Sequence, residues 1–211
     1  MIKNLEAQLV SSERKLLDGL NSPIKIQSFL NTVPYSEDEF YHCPLRVLRD
    51  RKAHCFDGAI FAAMALRRIG HPPLILELIP NARDDDHILA LYKQYNCWGS
   101  VAQSNFTGLR YREPVYRSLR ELVMSYFEDF FNSAGEKTLV GYRGPINLKI
   151  FDRLEWMSSE TGLETLSTDM DRYHVHPVIS GEMAASLSPV DKRSLLAGLM
   201  GANEAGLFKV H

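Results

Sequence analysis

Three observations predict an α+β fold for this chain. Residues 55–70 form a run of small and apolar residues long enough for a buried helix. Three shorter apolar runs, at 74–79, 87–93 and 97–103, have the length of strands. Helical patterns lie on either side of this block. The expected architecture is a small antiparallel sheet packed on the helix that begins at Cys55, with helical additions at both ends.

Each element has a local reason. Leu5, Leu9, Leu16, Leu17 and Leu20 lie close to helical spacing, which predicts one amphipathic helix near 3–19. Gly19 to Pro23 ends it, and a short helix near 24–31 follows. Ser36-Glu37-Asp38-Glu39 has the pattern of a capped turn, and 44–49 is also expected to be helical. The Cys55 helix stops at Gly70, because Pro72 and Pro73 prevent its continuation. Leu74 to Ile79 is bounded by prolines and reads as a buried strand. Gln94-Tyr95-Asn96 suits a tight hairpin between the next two strands. Residues 116–131 present one broad apolar face and read as a helix, whereas 135–145 reads as loop. Short helices are expected at 152–156 and 162–171, and a longer one at 189–200 with Pro189 in its first turn. No composition break forces a second domain. The expectation is a single domain over 1–211, with a core at about 20–145 and a helical annex at about 146–211.

Bulk properties exclude several function classes. The chain has 211 residues, 45% hydrophobic, with a formal net charge of −2. A core of ordinary size is therefore available, and there is no global pull toward nucleic acid or an anionic membrane. No apolar run approaches the roughly 20 residues of a spanning helix. The first residues lack the apolar centre of a signal peptide, so the expected location is cytoplasmic. Cys43, Cys55 and Cys97 are odd in number and show no zinc spacing, which argues against a disulfide framework or a structural metal.

The chemistry of interest gathers at Cys55 and His87. A thiol at a helix start meets unpaired N–H groups and the positive end of the helix dipole, which favour the thiolate. A histidine opening a strand completes the usual pair for a cysteine nucleophile. Trp98 follows on the next strand. On these residues, 52–105 resembles the transglutaminase-like core of the papain-like cysteine enzymes. In that family the nucleophilic cysteine begins a helix that ends in glycine and a proline-bearing turn. A histidine then starts a strand, and an acid lies on the next strand a few residues after a tryptophan.

One position departs from the pattern. Ala102 occupies the place of the acid, followed by Gln103-Ser104-Asn105. A third group is needed to hold the imidazole in the right tautomer. Asn105 is the candidate, with Gln103 and Ser104 as rivals. The resemblance implies acyl transfer, with Cys55 as nucleophile, His87 as general base and acid, and the Cys55 backbone N–H in the oxyanion hole. No cofactor or metal is needed. The expected partner is a peptide or small-molecule amide substrate, with no nucleic acid and no membrane.

Other residues carry two readings each. Asp57 lies in the first helical turn, where a carboxylate favours the dipole yet opposes a thiolate. His54 either touches substrate or lies on the surface. Asp84-Asp85-Asp86 and the His174/His176 pair invite metal, but solvation and packing are the plainer readings. Arg46, Arg49, Arg51 and Lys52 form a basic run that would either meet an anionic group or simply be solvated. Arg110, Arg112 and Arg117 interleave with Tyr111 and Tyr116, a weak nucleic-acid pattern. Cys43 and Cys97 read as structural. The leading functional expectation is a cysteine hydrolase or acyl-transfer enzyme cleaving an amide. The alternative is a catalytically inactive relative that binds a peptide or partner. A third idea, acyl transfer of the arylamine N-acetyltransferase kind, lacks any sign of a coenzyme A pocket.

Overall fold

The computed structural model describes residues 2–209; Met1, Val210 and His211 lie outside it. Helices α1 (Ile2–Gln8), α2 (Ser11–Gly19), α3 (Pro23–Leu30), α4 (Pro44–Asp50) and α5 (Cys55–Arg68) precede strands β1 (Leu74–Pro80), β2 (His87–Gln94), β3 (Cys97–Val101) and β4 (Arg112–Tyr116). Then come α6 (Leu119–Met124), β5 (Leu139–Asn147), α7 (Glu160–Met170), β6 (Val175–Pro177), α8 (Gly181–Ala185) and α9 (Lys192–Gly198). The six strands form one sheet in the order β4-β3-β2-β1-β5-β6, antiparallel throughout. The α+β class is therefore observed, with the sheet packed on α5.

Two cores flank the sheet. Ile75, Ile88, Ala90 and Tyr92 face α5 and the helices around it. Leu76, Leu78, Leu89 and Leu91 face α6 and the segment through Phe130. This alternation along β1 and β2 is the two-residue period of a strand covered on both faces. Small residues let α5 approach the segment after β3 closely: a Cβ on Gly58 would stand 2.3 Å from the Gln103 Cβ. Below the helix, Arg67 holds Asp152 with two bonds of 2.7 and 2.8 Å.

Local signals located most elements. Gly70 has φ 96, and Tyr95 and Asn96 both adopt positive φ at the β2–β3 hairpin. Other expectations need correction. The amphipathic run near 3–19 is two helices, since Glu13 accepts the Val10 N–H at 2.9 Å and restarts the chain. The helix expected over 116–131 is limited to α6, started by Ser118 accepting the Glu121 N–H, because Tyr116 is spent in β4. The stretch 135–145 contains most of β5, although three glycines and Pro145 give it a loop-like composition. At Ser36–Glu39, where a capped short turn is expected, Ser36 Oγ accepts the Asp38 N–H. The last helix begins at Lys192, where Asp191 caps it, rather than at Pro189.

Candidate active site

An extended segment before α4 and one before α5 build the floor of the site. Tyr35 pairs with Ala53, Ser36 N–H donates to Ala53 O at 3.0 Å, and Ala53 N–H donates to Pro34 O at 3.3 Å. This pairing brings the Tyr35 hydroxyl against the thiol and backbone N–H of Cys55. The helix start itself is capped on both sides. His54 Nδ1 accepts the Phe56 N–H at 3.2 Å, and the Asp57 carboxylate accepts the His54 N–H at 3.3 Å.

Cys55 is the first residue of α5 and is 8% exposed. Its Sγ lies 3.9 Å from the Asp86 carbonyl oxygen, and the Ile88 N–H points at it. Burial pushes the thiol well above its ordinary range, and the Asp86 and Asp85 carboxylates add to that; the Ile88 N–H and Tyr35 hydroxyl oppose it. Desolvation thus outweighs the helix N-terminus, which is worth about 0.3–2 kcal/mol. In this state Cys55 is a neutral thiol.

His87 opens β2 on the side of Leu89 and Leu91. Its Nε2 donates to the Leu109 carbonyl oxygen at 2.7 Å. Burial lowers its pKa to about 4, so the imidazole is neutral. Cys55 and His87 line one cavity of about 60 Å³. Their polar contacts lie elsewhere, those of Cys55 with Asp86, Ile88 and Tyr35 and that of His87 with Leu109.

The three candidates for the orienting group are all committed to other partners. Asn105 exchanges two hydrogen bonds with the backbone of Asn203, at 2.8 and 2.7 Å. Ser104 Oγ accepts the Phe106 N–H at 3.0 Å, and Gln103 Nε2 donates to Val33 O at 2.6 Å. The Ala102 side chain packs in the second core. Its backbone N–H and C=O both bond the buried amide of Gln27, at 3.0 and 2.9 Å.

A cleft of about 430 Å³ opens above Cys55, and carboxylates dominate its walls: Glu37, Asp38, Glu77, Asp85, Asp86 and Asp171. Arg143 crosses it, bonded to Glu77 at 2.6 Å and Asp171 at 3.1 Å. The enclosing walls and Glu77 raise the Asp86 carboxyl to about 8. The aspartates read as a plain solvated loop therefore face the site. The basic run before Cys55 is turned to other work: Arg46 pairs with Asp50, Arg49 with Glu13 and Lys52 with Asp38, while Arg51 covers the Phe29 ring at 4.3 Å. An anionic substrate thus meets acids rather than these bases. Arg112 is likewise folded in, over the Tyr126 ring at 4.0 Å.

Beside the cleft, Asp57 is fully buried between two histidines. It accepts the His42 N–H at 2.8 Å, and lies 3.3 Å from His42 Nδ1 and 3.5 Å from His54 Nε2. Burial raises Asp57 to about 7 and lowers His54 to about 4. His54 lines the cleft. Its sequence reading as a surface residue is corrected, because the capping bond fixes the ring inward. Among the described residues no group of three or more His, Cys, Asp or Glu is arranged to hold a metal ion. His174 and His176 instead pack ring edge to face at 4.7 Å. Among the described residues no helix is long and apolar enough to cross a membrane.

Sequence reasoning missed Tyr35, Glu77, Arg143 and the Leu109 carbonyl. Only Asp86 carried a usable signal, since strand alternation pairs it with Ile88 on the side of α5.

No family model and no curated protein matches this chain. Among solved structures it is similar to Legionella pneumophila LapG, with 17% identity and a TM-score of 0.40, covering 81% of this chain and 93% of that one. An EGTA-treated Legionella pneumophila LapG matches with 19% identity and a TM-score of 0.35, over 49% of this chain and 68% of that one. The likeness is distant.

Proposed function

We propose that this chain is a cysteine acyl-transfer enzyme with a transglutaminase-like, papain-like core, and that it hydrolyses an amide in a peptide or small acyl compound. The observation that carries the reading is the shared cavity of Cys55 and His87 at the floor of the cleft. The Leu109 carbonyl supports it further. By accepting from Nε2 it selects the tautomer whose Nδ1 holds the lone pair, which is the state a general base needs. A backbone carbonyl then does the orienting that the sequence assigned to Asn105.

In this reading, Cys55 Sγ attacks the amide carbonyl carbon while His87 Nδ1 takes the thiol proton. The oxyanion receives hydrogen bonds from the Cys55 N–H and the Tyr35 hydroxyl. The C–N bond breaks as His87 returns the proton to the leaving amine. Water then attacks the thioester, releasing the acid and restoring the thiol. The acidic walls favour a neutral or cationic substrate.

A second reading has its own support: burial holds the Cys55 thiol neutral, and Ala102 stands where the family places an acid. That reading is a peptide-binding module without catalysis. Acylation with p-nitrophenyl acetate, mapped by peptide mass spectrometry, separates the two. The expected result is acetylation of Cys55 alone, slowed at least 100-fold in His87→Ala. Equal acetylation of Cys97, or indifference to His87→Ala, would establish the binding reading.

A further inference from the structure

The C-terminal segment lies across the candidate site. After the turn at Gly201, where φ is 73, residues 203–208 pass over Tyr35, and Gly206, Leu207 and Phe208 line both cavities at Cys55. One buried side chain reads this segment as a peptide: Asn105 accepts from Asn203 N–H at 2.7 Å and donates to Asn203 C=O at 2.8 Å. Asn203 Nδ2 in turn donates to Tyr35 O at 3.1 Å. Gly206 sits flat on the Tyr35 ring, where a Cβ would come within 2.9 Å of the Tyr35 Cδ1 and 3.3 Å of Ser36 O. Leu207 and Phe208 then enter the space beside Cys55, leaving Phe208 39% exposed.

We infer that residues 203–208 are an intramolecular ligand of the cleft: the site takes a peptide with glycine against Tyr35 followed by two large apolar residues, and release of this segment controls access to Cys55. The inference rests on the cleft being the substrate site. Asn105 is then a positioning residue that grips peptide backbone, which no orienting role toward His87 explains. The segment is held by few buried groups and many exposed ones, the character of a part that opens ahead of the whole fold.

The test is the rate of iodoacetamide labelling at Cys55 in the 211-residue chain, with buried Cys43 as the internal control for folding. Asn203→Ala removes the Tyr35 bond and Gly206→Val forces the segment off the ring. Both are expected to label Cys55 about tenfold faster or more while Cys43 stays inert. Adding a synthetic peptide with the sequence of residues 203–208 to the Gly206→Val protein is expected to slow Cys55 labelling again. Unchanged labelling in both variants, or no effect of the peptide, overturns the inference. If a variant labels Cys43 as well it has unfolded, and the other variant decides. Peptide protection with labelling that ignores His87→Ala keeps the intramolecular ligand and removes the catalytic reading.

Discussion

The Cys55 thiol lies 3.9 Å from the Asp86 carbonyl oxygen, while the Ile88 N–H approaches it from the other side of His87. The thiol is thus seated against the mouth of β2, in a pocket that keeps it protonated. The local backbone donors favour a thiolate, and burial with two nearby aspartates disfavours it. Chemistry at this residue depends on which of these is altered.

Tyr35 is the side-chain donor in that balance. Tyr35→Phe keeps the ring under Gly206 but removes the hydroxyl that stabilises the thiolate. Hydrogen bonds to charged groups are worth about 1.5–3 kcal/mol. Labelling of Cys55 at fixed pH is expected to slow roughly tenfold or more, with the alkylation profile displaced to higher pH. Faster labelling in the variant would show that the hydroxyl acts as a shield instead.

His87 should leave a mark on stability. Its folded pKa, about 4, lies below the ordinary 6.5, so the unfolded chain binds more protons between those values. Stability from this group is therefore present above pH 6.5 and is lost as pH falls toward 4, by roughly 3 kcal/mol. His54 contributes in the same direction, whereas Asp57, raised to about 7, opposes it. His87→Gln retains a donor for Leu109 O and cannot titrate. Urea unfolding at several pH values should show a shallower gain from pH 4 to 6.5 in the variant; an unchanged slope would place His87 in solvent.

Gln27 closes the backbone at Ala102. Its amide is 2% exposed and bonds both polar groups of Ala102. Gln27→Leu fills similar space but leaves a buried N–H and C=O without partners. The expected loss is about 2–4 kcal/mol, read from the urea midpoint. A loss below half of the lower value would mean that water replaces the amide.

Gly58 sets the spacing between α5 and the 103–105 segment. Gly58→Ala improves helix propensity by up to about 1 kcal/mol, but the Cβ would stand 2.3 Å from the Gln103 Cβ. Overpacking should win, with a net loss of about 1–3 kcal/mol. Gly19→Ala, where an added Cβ meets nothing within 4 Å, should be neutral or slightly stabilising under the same assay.

The sequence by itself determined the elements whose causes are local. The α5 run ends at a glycine of positive φ, β1 is bracketed by prolines, and the Tyr95-Asn96 turn joins β2 to β3; each is set by residues adjacent in the chain. The helix-start position of Cys55 was legible for the same reason. Tertiary structure decided what distant segments do to these parts. It placed β5, loop-like in composition, between β1 and β6, because its partners supply the hydrogen bonds that its glycines and proline do not advertise. It also gave His87 the Leu109 carbonyl, set Tyr35 against the thiol, and spent Asn105 on a residue 98 positions away. Most consequentially, it made the thiol neutral. A helix terminus is a short-range field written in the sequence, but the dielectric around a group is set by everything folded over it, including the chain's own residues 206–208.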